Sequence, residues 1–151
     1  MSTQMMDATD RALIQLLQIN GRSPYTQLAK EVGLSEAAVR QRVQRLLDQR
    51  AMQIVAVTDP MKLGLMRQAM VLIKVDGDVR EVADRLEEIE EVSYLVVTAG
   101  SFDLLAEVVV NDDEALFLLL NDQIRSIEGI ASTETIMYLG LRKQTYQWGT
   151  R

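Results

Sequence analysis

Over the first fifty positions, apolar residues recur with the period of a helix. Leu13, Ile14, Leu16 and Leu17 fall on one face of the segment 10–20, and Gly21 stops it. Ser23-Pro24 then reads as an N-cap followed by a proline at the first helical position. Leu28, Ala29 and Val32 turn that second helix inward until Gly33 ends it. After the short turn Gly33-Leu34, Ser35 caps a third helix. There Val39, Val43, Leu46 and Leu47 recur at i, i+4, i+7 and i+8, an apolar stripe. Three short helices on tight turns are predicted.

The period changes after residue 51. Ile54, Val55 and Val57 suit a connecting strand over 52–59, broken at Pro60, with 61–67 as a linker. That linker is poor in Ser and Gly, which argues against a long flexible tether. Beyond it the types alternate. A strand is predicted at 69–75, and an amphipathic helix at 79–91 with Val79, Val82, Ala83, Leu86 and Ile89 inward. Strands follow at 92–98 and 102–110 around the turn Ala99-Gly100-Ser101. Asp112 or Asp113 caps a helix to residue 124, and a last strand covers 130–139. This β-α-β-β-α-β order is the split βαβ, ferredoxin-like arrangement, an antiparallel sheet with two helices on one face. No further helix pair remains to cover the other face, so a second subunit is expected there.

Composition narrows the function classes. The 151 residues contain no Cys and no His. Disulfides are excluded, and the commonest general base and zinc ligand are missing. Neither an enzyme nor a metal or cofactor site is expected. The acidic N-terminus does not read as a secretory signal, and no apolar run approaches membrane-spanning length. A cytoplasmic protein without membrane contact is the expectation. The net charge of −6 hides an asymmetry: residues 1–50 hold seven Lys/Arg against five Asp/Glu, net +2, and residues 51–151 hold nine against seventeen, net −8. A basic head on an acidic body suits a chain in which only the head touches phosphate.

Three segments can carry function. The first is a helix, a glycine turn and a second helix over 25–47, the form of a DNA-binding helix-turn-helix. Opposite Val39 and Val43, the last helix presents Arg40, Gln41, Gln44 and Arg45, groups that reach phosphates and base edges; Ser35, Glu36 and Ala37 lie at its leading end. An isolated helix with such a face would more simply be solvated. The preceding helix, the turn, the cap and the basic head favour the nucleic-acid reading. Arg42 lies nearer the buried stripe, either tying the domain down or touching a backbone phosphate. The second segment runs from Thr98 through Gly100, Ser101 and Phe102 to Asp103. It is either a hairpin turn, with glycine supplying a positive φ, or a small polar pocket for a zwitterionic metabolite; spacing alone favours the turn. The third is Ser132-Thr133-Glu134-Thr135, equally readable as β-propensity or as pocket lining. The run Glu87-Glu88-Ile89-Glu90-Glu91 reads as a solvated helix end, and the eight Met as core filler.

The series Asp10-Arg11, Asn20-Gly21-Arg22, Leu28-Ala29, Val32-Gly33-Leu34-Ser35 and Val39-Arg40-Gln41-Arg42-Val43-Gln44-Arg45-Leu46 resembles the Lrp/AsnC, or feast/famine, regulators over nearly the whole chain. The resemblance implies an α+β protein. A winged helix-turn-helix (1–52) is joined by a connecting strand and linker (53–67) to a βαββαβ sensing and oligomerisation domain (68–151). It implies a DNA-binding transcriptional regulator whose promoter occupancy is modulated by an amino acid or related metabolite. It also implies homodimers that assemble further, commonly into octamers, with effector bound between dimers. Thr98, Gly100, Ser101, Phe102 and Asp103, with Thr133, Glu134 and Thr135, would then lie at the effector site. Ser101 and Phe102 stand where the family usually carries Asp and Tyr. The competing readings are a metabolite-binding module without a DNA target, a global DNA-compacting protein, and a small carboxylate-dependent enzyme.

Overall fold

The computed structural model describes residues 6–146. They divide into two compact units, one holding residues 6–57 with 143–146, the other 58–142.

In the first unit, α1 (Ala8–Ile19), α2 (Tyr25–Val32) and α3 (Glu36–Asp48) enclose Leu13, Leu17, Leu28, Ala29, Val39 and Val43. The helix ends follow local chemistry. Asp7 caps α1 by accepting from the Asp10 amide at 2.8 Å, and the Asp10 carboxylate accepts from the Asp7 amide, a reciprocal capping box. Gly33 closes α2 in the left-handed region at φ 69°, a conformation that favours glycine. Ser35 Oγ accepts from the Ala38 amide and starts α3. The expected Ser23 cap is not made: Pro24 takes the capping position of α2, with no side-chain hydrogen bond there. The connecting strand expected over 52–59 is also absent. Among the described residues these positions join no ladder, and Ile54, Val55 and Val57 are exposed. β-propensity measures fit to a pleated, half-buried surface, and no neighbouring strand supplies one here.

The second unit begins with a 3₁₀ turn, Pro60–Leu63, capped by Asp59 and ended by Gly64 at φ 85°. Its sheet contains β1 (Arg67–Val75), β2 (Val92–Val97), β3 (Leu104–Val110) and β4 (Ile130–Met137) in the order β2-β3-β1-β4, all neighbours antiparallel. Between the strands lie α4 (Val79–Glu87) and α5 (Asp113–Leu118). Helix α4 ends four residues before the expected 91. Glu87, Glu88, Glu90 and Glu91 crowd its C-terminal end, where the helix dipole disfavours anions. Asp112 caps α5, which continues as a π-helical turn, Leu119–Ile124. In a regular helix Leu119 and Ile124 would point about 140° apart. The wider turn lets both reach the core, where each is buried.

Ala69, Val71 and Ile73 of β1 and Leu104, Ala106 and Val108 of β3 are fully buried under the helices with Val82 and Leu86. The alternate positions Met70, Leu72, Leu105 and Val109 are only half-buried, and Tyr94 and Ile136 are exposed. The strand period of two thus leaves a second, largely apolar sheet face. Set into it are Gln68 and Glu107, hydrogen-bonded to each other. Burial and nearby Glu107 raise the Tyr138 phenol above its ordinary value.

One ionic cluster joins α1 to α3. Asp10 is 2% exposed and is the one buried charged residue among those described. Arg45 donates to both its oxygens at 2.7 and 2.6 Å, and Arg42 donates to Asp10 at 2.8 Å and to Asp7 at 2.7 Å. A carboxylate so buried must be matched in charge and hydrogen bonding, and this one is. Replacing Arg45 by Ala removes two charge-assisted bonds from a buried partner and should cost about 1–3 kcal/mol in urea unfolding. Arg40→Ala, in an exposed i,i+4 pair with Glu36, should cost less than about 0.5 kcal/mol. The Asp7 carboxyl is held below its ordinary value, first by the Asp10 amide and then by Arg42. A depressed folded value means stability that is present above the ordinary aspartate range and lost as pH falls through the folded one. The melting temperature should therefore fall on acidification below about pH 4, less so in Asp7→Asn.

Candidate DNA interface and effector site

Helix α3 buries Val39, Val43 and Leu46 at i, i+4 and i+7, so the opposite side is fixed by helical geometry alone. That side exposes Glu36, Ala37, Arg40, Gln41, Gln44 and Asp48. Ser35 sits at its leading end, beside the positive pole of the helix. The sequence-predicted DNA-binding residues thus form one continuous surface, with one qualification. Arg45 lies on its flank at 29% side-chain exposure, with its guanidinium committed to Asp10. On the other flank Arg40 pairs with Glu36 at 3.0 Å and stands 4.8 Å above the Tyr25 ring. Gln44 donates to Asp48 at 2.8 Å, while the Gln41 side chain makes no hydrogen bond to another described residue. Tyr25, Gln41, Gln44 and Arg45 help line a shallow recess along this surface.

Two partners of this surface, Tyr25 and Asp10, are not marked as such by the apolar periodicity. In the sequence pattern Tyr25 only begins a helix, and Asp10 only opens the first helix and the family-like series. The signal for Asp10 is present in its spacing. It stands at i, i+3 and i+7 with buried Leu13 and Leu17, and a carboxylate on a core stripe demands a cation.

In the second unit the loop 98–103 joins β2 to β3. Thr98 Oγ1 donates to the Phe102 carbonyl at 2.8 Å, and the Thr98 amide donates to the Asp103 carbonyl at 2.8 Å. The Asp103 amide donates to the Ile73 carbonyl, and its carboxylate accepts from the Val75 amide at 2.9 Å and from Lys74 Nζ at 3.1 Å. Those two donors, the amide first, hold the Asp103 carboxyl below its ordinary value. Asp103 therefore pins the loop to the end of β1. The expected positive φ at Gly100 is not found; a Cβ built there meets nothing within 4 Å. The hairpin closes through Thr98 and Asp103 instead, which leaves Gly100 and Ser101 as an exposed rim.

Thr133 and Thr135 lie opposite Ile73 and Val71 on the helix-covered face, and Glu134 lies opposite Leu72 on the open one. The strand period separates them, so the three do not converge within one chain. Thr133 Oγ1 accepts from Arg125 Nε at 2.9 Å, and Arg125 also donates to Asn121. The buried Thr135 hydroxyl has no hydrogen-bond partner. Arg125 and Lys74 are the contributors here that sequence reading did not single out.

No helix among the described residues is long and apolar enough to cross a membrane. Comparison with known proteins identifies both units. Residues 6–47 match the AsnC-type helix-turn-helix domain, and residues 68–148 match the Lrp/AsnC ligand binding domain. An uncharacterised HTH-type transcriptional regulator of Pyrococcus furiosus is 34% identical over 144 residues, covering 94% of this chain and 97% of that one. The structure of AsnC from E. coli superposes with a TM-score of 0.85 at 25% identity over 95% of this chain and 98% of that one. A Neisseria meningitidis transcriptional regulator, solved as a complex with L-Met, superposes with a TM-score of 0.83 at 27% identity over 93% and 94%. With matches over both units and nearly full-length relatives, the chain belongs to the Lrp/AsnC family, regulators of transcription rather than enzymes, built from a DNA-binding helix-turn-helix and a ligand-binding domain.

Proposed function

We propose that two copies of this chain read the half-sites of a pseudo-palindrome with paired α3 helices, and that an amino acid or a close derivative shifts promoter occupancy from an inter-subunit site. The outer face of α3 carries the DNA reading. Gln41 and Gln44 have the donor and acceptor pattern for adenine edges, and Arg40 suits guanine or phosphate. Arg45 is better placed beside the groove than in it, because Asp10 already holds its guanidinium. The work would be done in the cytoplasm, where the DNA is.

The effector reading rests on the rim Gly100-Ser101 above a loop anchored by Asp103, and on Thr133 and Thr135 beside Arg125. The L-Met complex of the Neisseria relative supports an amino acid as the ligand class. Ser101 on the rim and the half-buried Phe102 beside it stand where the family usually carries Asp and Tyr, so the ligand need not be that of any relative. Glu134 faces the open side of the sheet and can join such a site only from a neighbouring subunit. The same apolar side, with Met70, Leu72, Leu105 and Ile136, is the surface a second copy would cover, and higher assembly to octamers follows the family pattern.

Three measurements test this. Arg40→Ala with Gln41→Ala should weaken binding to a duplex enriched by in vitro selection by tenfold or more, at about 1–3 kcal/mol per base contact, with the fold unchanged by circular dichroism. Unchanged electrophoretic shifts would remove α3's outer face from the interface. In a thermal-shift screen of amino acids, the effector at one hundred times its dissociation constant should add about 2.7 kcal/mol. Gly100→Val should abolish that gain without lowering the unliganded melting temperature, since the position is open. Sedimentation equilibrium should give an even multiple of the 17.0 kDa chain mass; a monomer at micromolar concentration would sink the inter-subunit site.

A further inference from the structure

The ion cluster beneath α3 has a consequence for DNA binding itself, one that rests on the DNA-reading role proposed above. A helix about 10–12 Å across nearly fills a major groove about 12 Å wide, so the flanks of a recognition helix run beside the phosphates. Arg42 and Arg45 occupy one such flank, at 27% and 29% side-chain exposure. They are placed as phosphate contacts are placed, yet both are held by carboxylates of the same chain. Arg45 takes both oxygens of Asp10, and Arg42 bridges Asp10 and Asp7. Two cations and two anions make this flank neutral. The two carboxylates are not equivalent. Asp10 is buried and its neutralisation is a condition of folding, whereas Asp7 is half exposed and sits at the rim of the cluster, on the water side of Arg42.

We propose that Asp7 and Asp10 act as an internal substitute for DNA phosphate, holding Arg42 and Arg45 in register while cancelling their charge. The recognition helix then gains little from non-specific attraction along this flank. It depends more on its outer residues, which read sequence. Asp7 is the adjustable member. Its carboxylate restrains Arg42 without being buried, so a phosphate can compete for the same guanidinium edge. Such a device suits a regulator with net charge −6 that must not be trapped on bulk DNA.

Asn serves as an N-cap about as well as Asp, so Asp7→Asn keeps the cap of α1 and removes one charge. The full chain is titrated onto a random-sequence duplex by fluorescence anisotropy across a potassium chloride series. The expected result is tighter binding at low salt, with the slope of log K against log salt steeper by about 0.9 for each helix-turn-helix engaged. Asp7→Asn combined with Arg42→Gln should return the slope to that of the unaltered protein, because the freed guanidinium carries the effect. Asp7→Ser, which also caps, should behave as Asp7→Asn and separates loss of charge from loss of the cap. Parallel slopes for the unaltered chain, Asp7→Asn and Asp7→Ser overturn the inference. If the unaltered chain binds neither random nor selected duplex, it is the DNA-reading role that fails.

Discussion

A carboxylate buried among leucines has to be neutralised or the domain cannot close over it. Asp10 stands on the core stripe of α1, and the only cations within its reach among the described residues are Arg42 and Arg45 of α3. This requirement constrains more than stability. Apolar packing is non-directional, so Leu13 against Val39 and Val43 would tolerate rotation of α3 about its axis. Bonds of 2.6–2.8 Å to a fixed carboxylate would not. The apolar stripe already decides which side of α3 faces outward, and these bonds fix the helix's exact rotation about its axis. The guanidiniums that perform this service come from the last helix of the helix-turn-helix, so their charge is committed to orienting that helix.

The second unit is governed by a different constraint, a sheet with helices on one side only. Ala69, Val71, Ile73, Leu104, Ala106 and Val108 are sealed by α4 and by α5 with its π-helical extension. The alternate residues of the same strands are largely apolar, with Gln68 and Glu107 among them, and Met70, Leu72, Leu105 and Val109 stay half-buried. A water-facing antiparallel sheet would alternate apolar with polar residues more cleanly than these strands do. The loop bearing Gly100 and the strand bearing Thr133 to Thr135 both flank β1, one at the end that Asp103 ties down and one along its edge. The candidate effector segments and the open apolar face therefore belong to one sheet.

Most elements were legible in the chain because their signals are local. The caps Ser35 and Asp112, the stop at Gly33, and the helical stripes of α3 and α4 depend on a few neighbouring residues. Two departures show where locality ends. Ile54, Val55 and Val57 have the composition of a strand but no strand partner among the described residues. Helix α4 has the right period through Ile89 but stops at Glu87 amid its own negative charges. Gly100 was expected to serve the turn by a positive φ, whereas Thr98 and Asp103 close it by hydrogen bonds across the hairpin.

The outer face of α3 was determined by sequence, since a helix with Val39, Val43 and Leu46 inward has no freedom over where Gln41 and Gln44 point. The order of strands followed in the same way from alternating element types. Pairing decided the rest. Arg42 and Arg45 differ from Arg40 only through contacts with residues more than thirty positions away, which periodicity does not see. Thr133 and Thr135 part from Glu134 only once β4 docks on β1 and one face acquires helices. A local pattern specifies what a segment can become, and a partner distant in the chain determines what each charged or polar side chain is free to do.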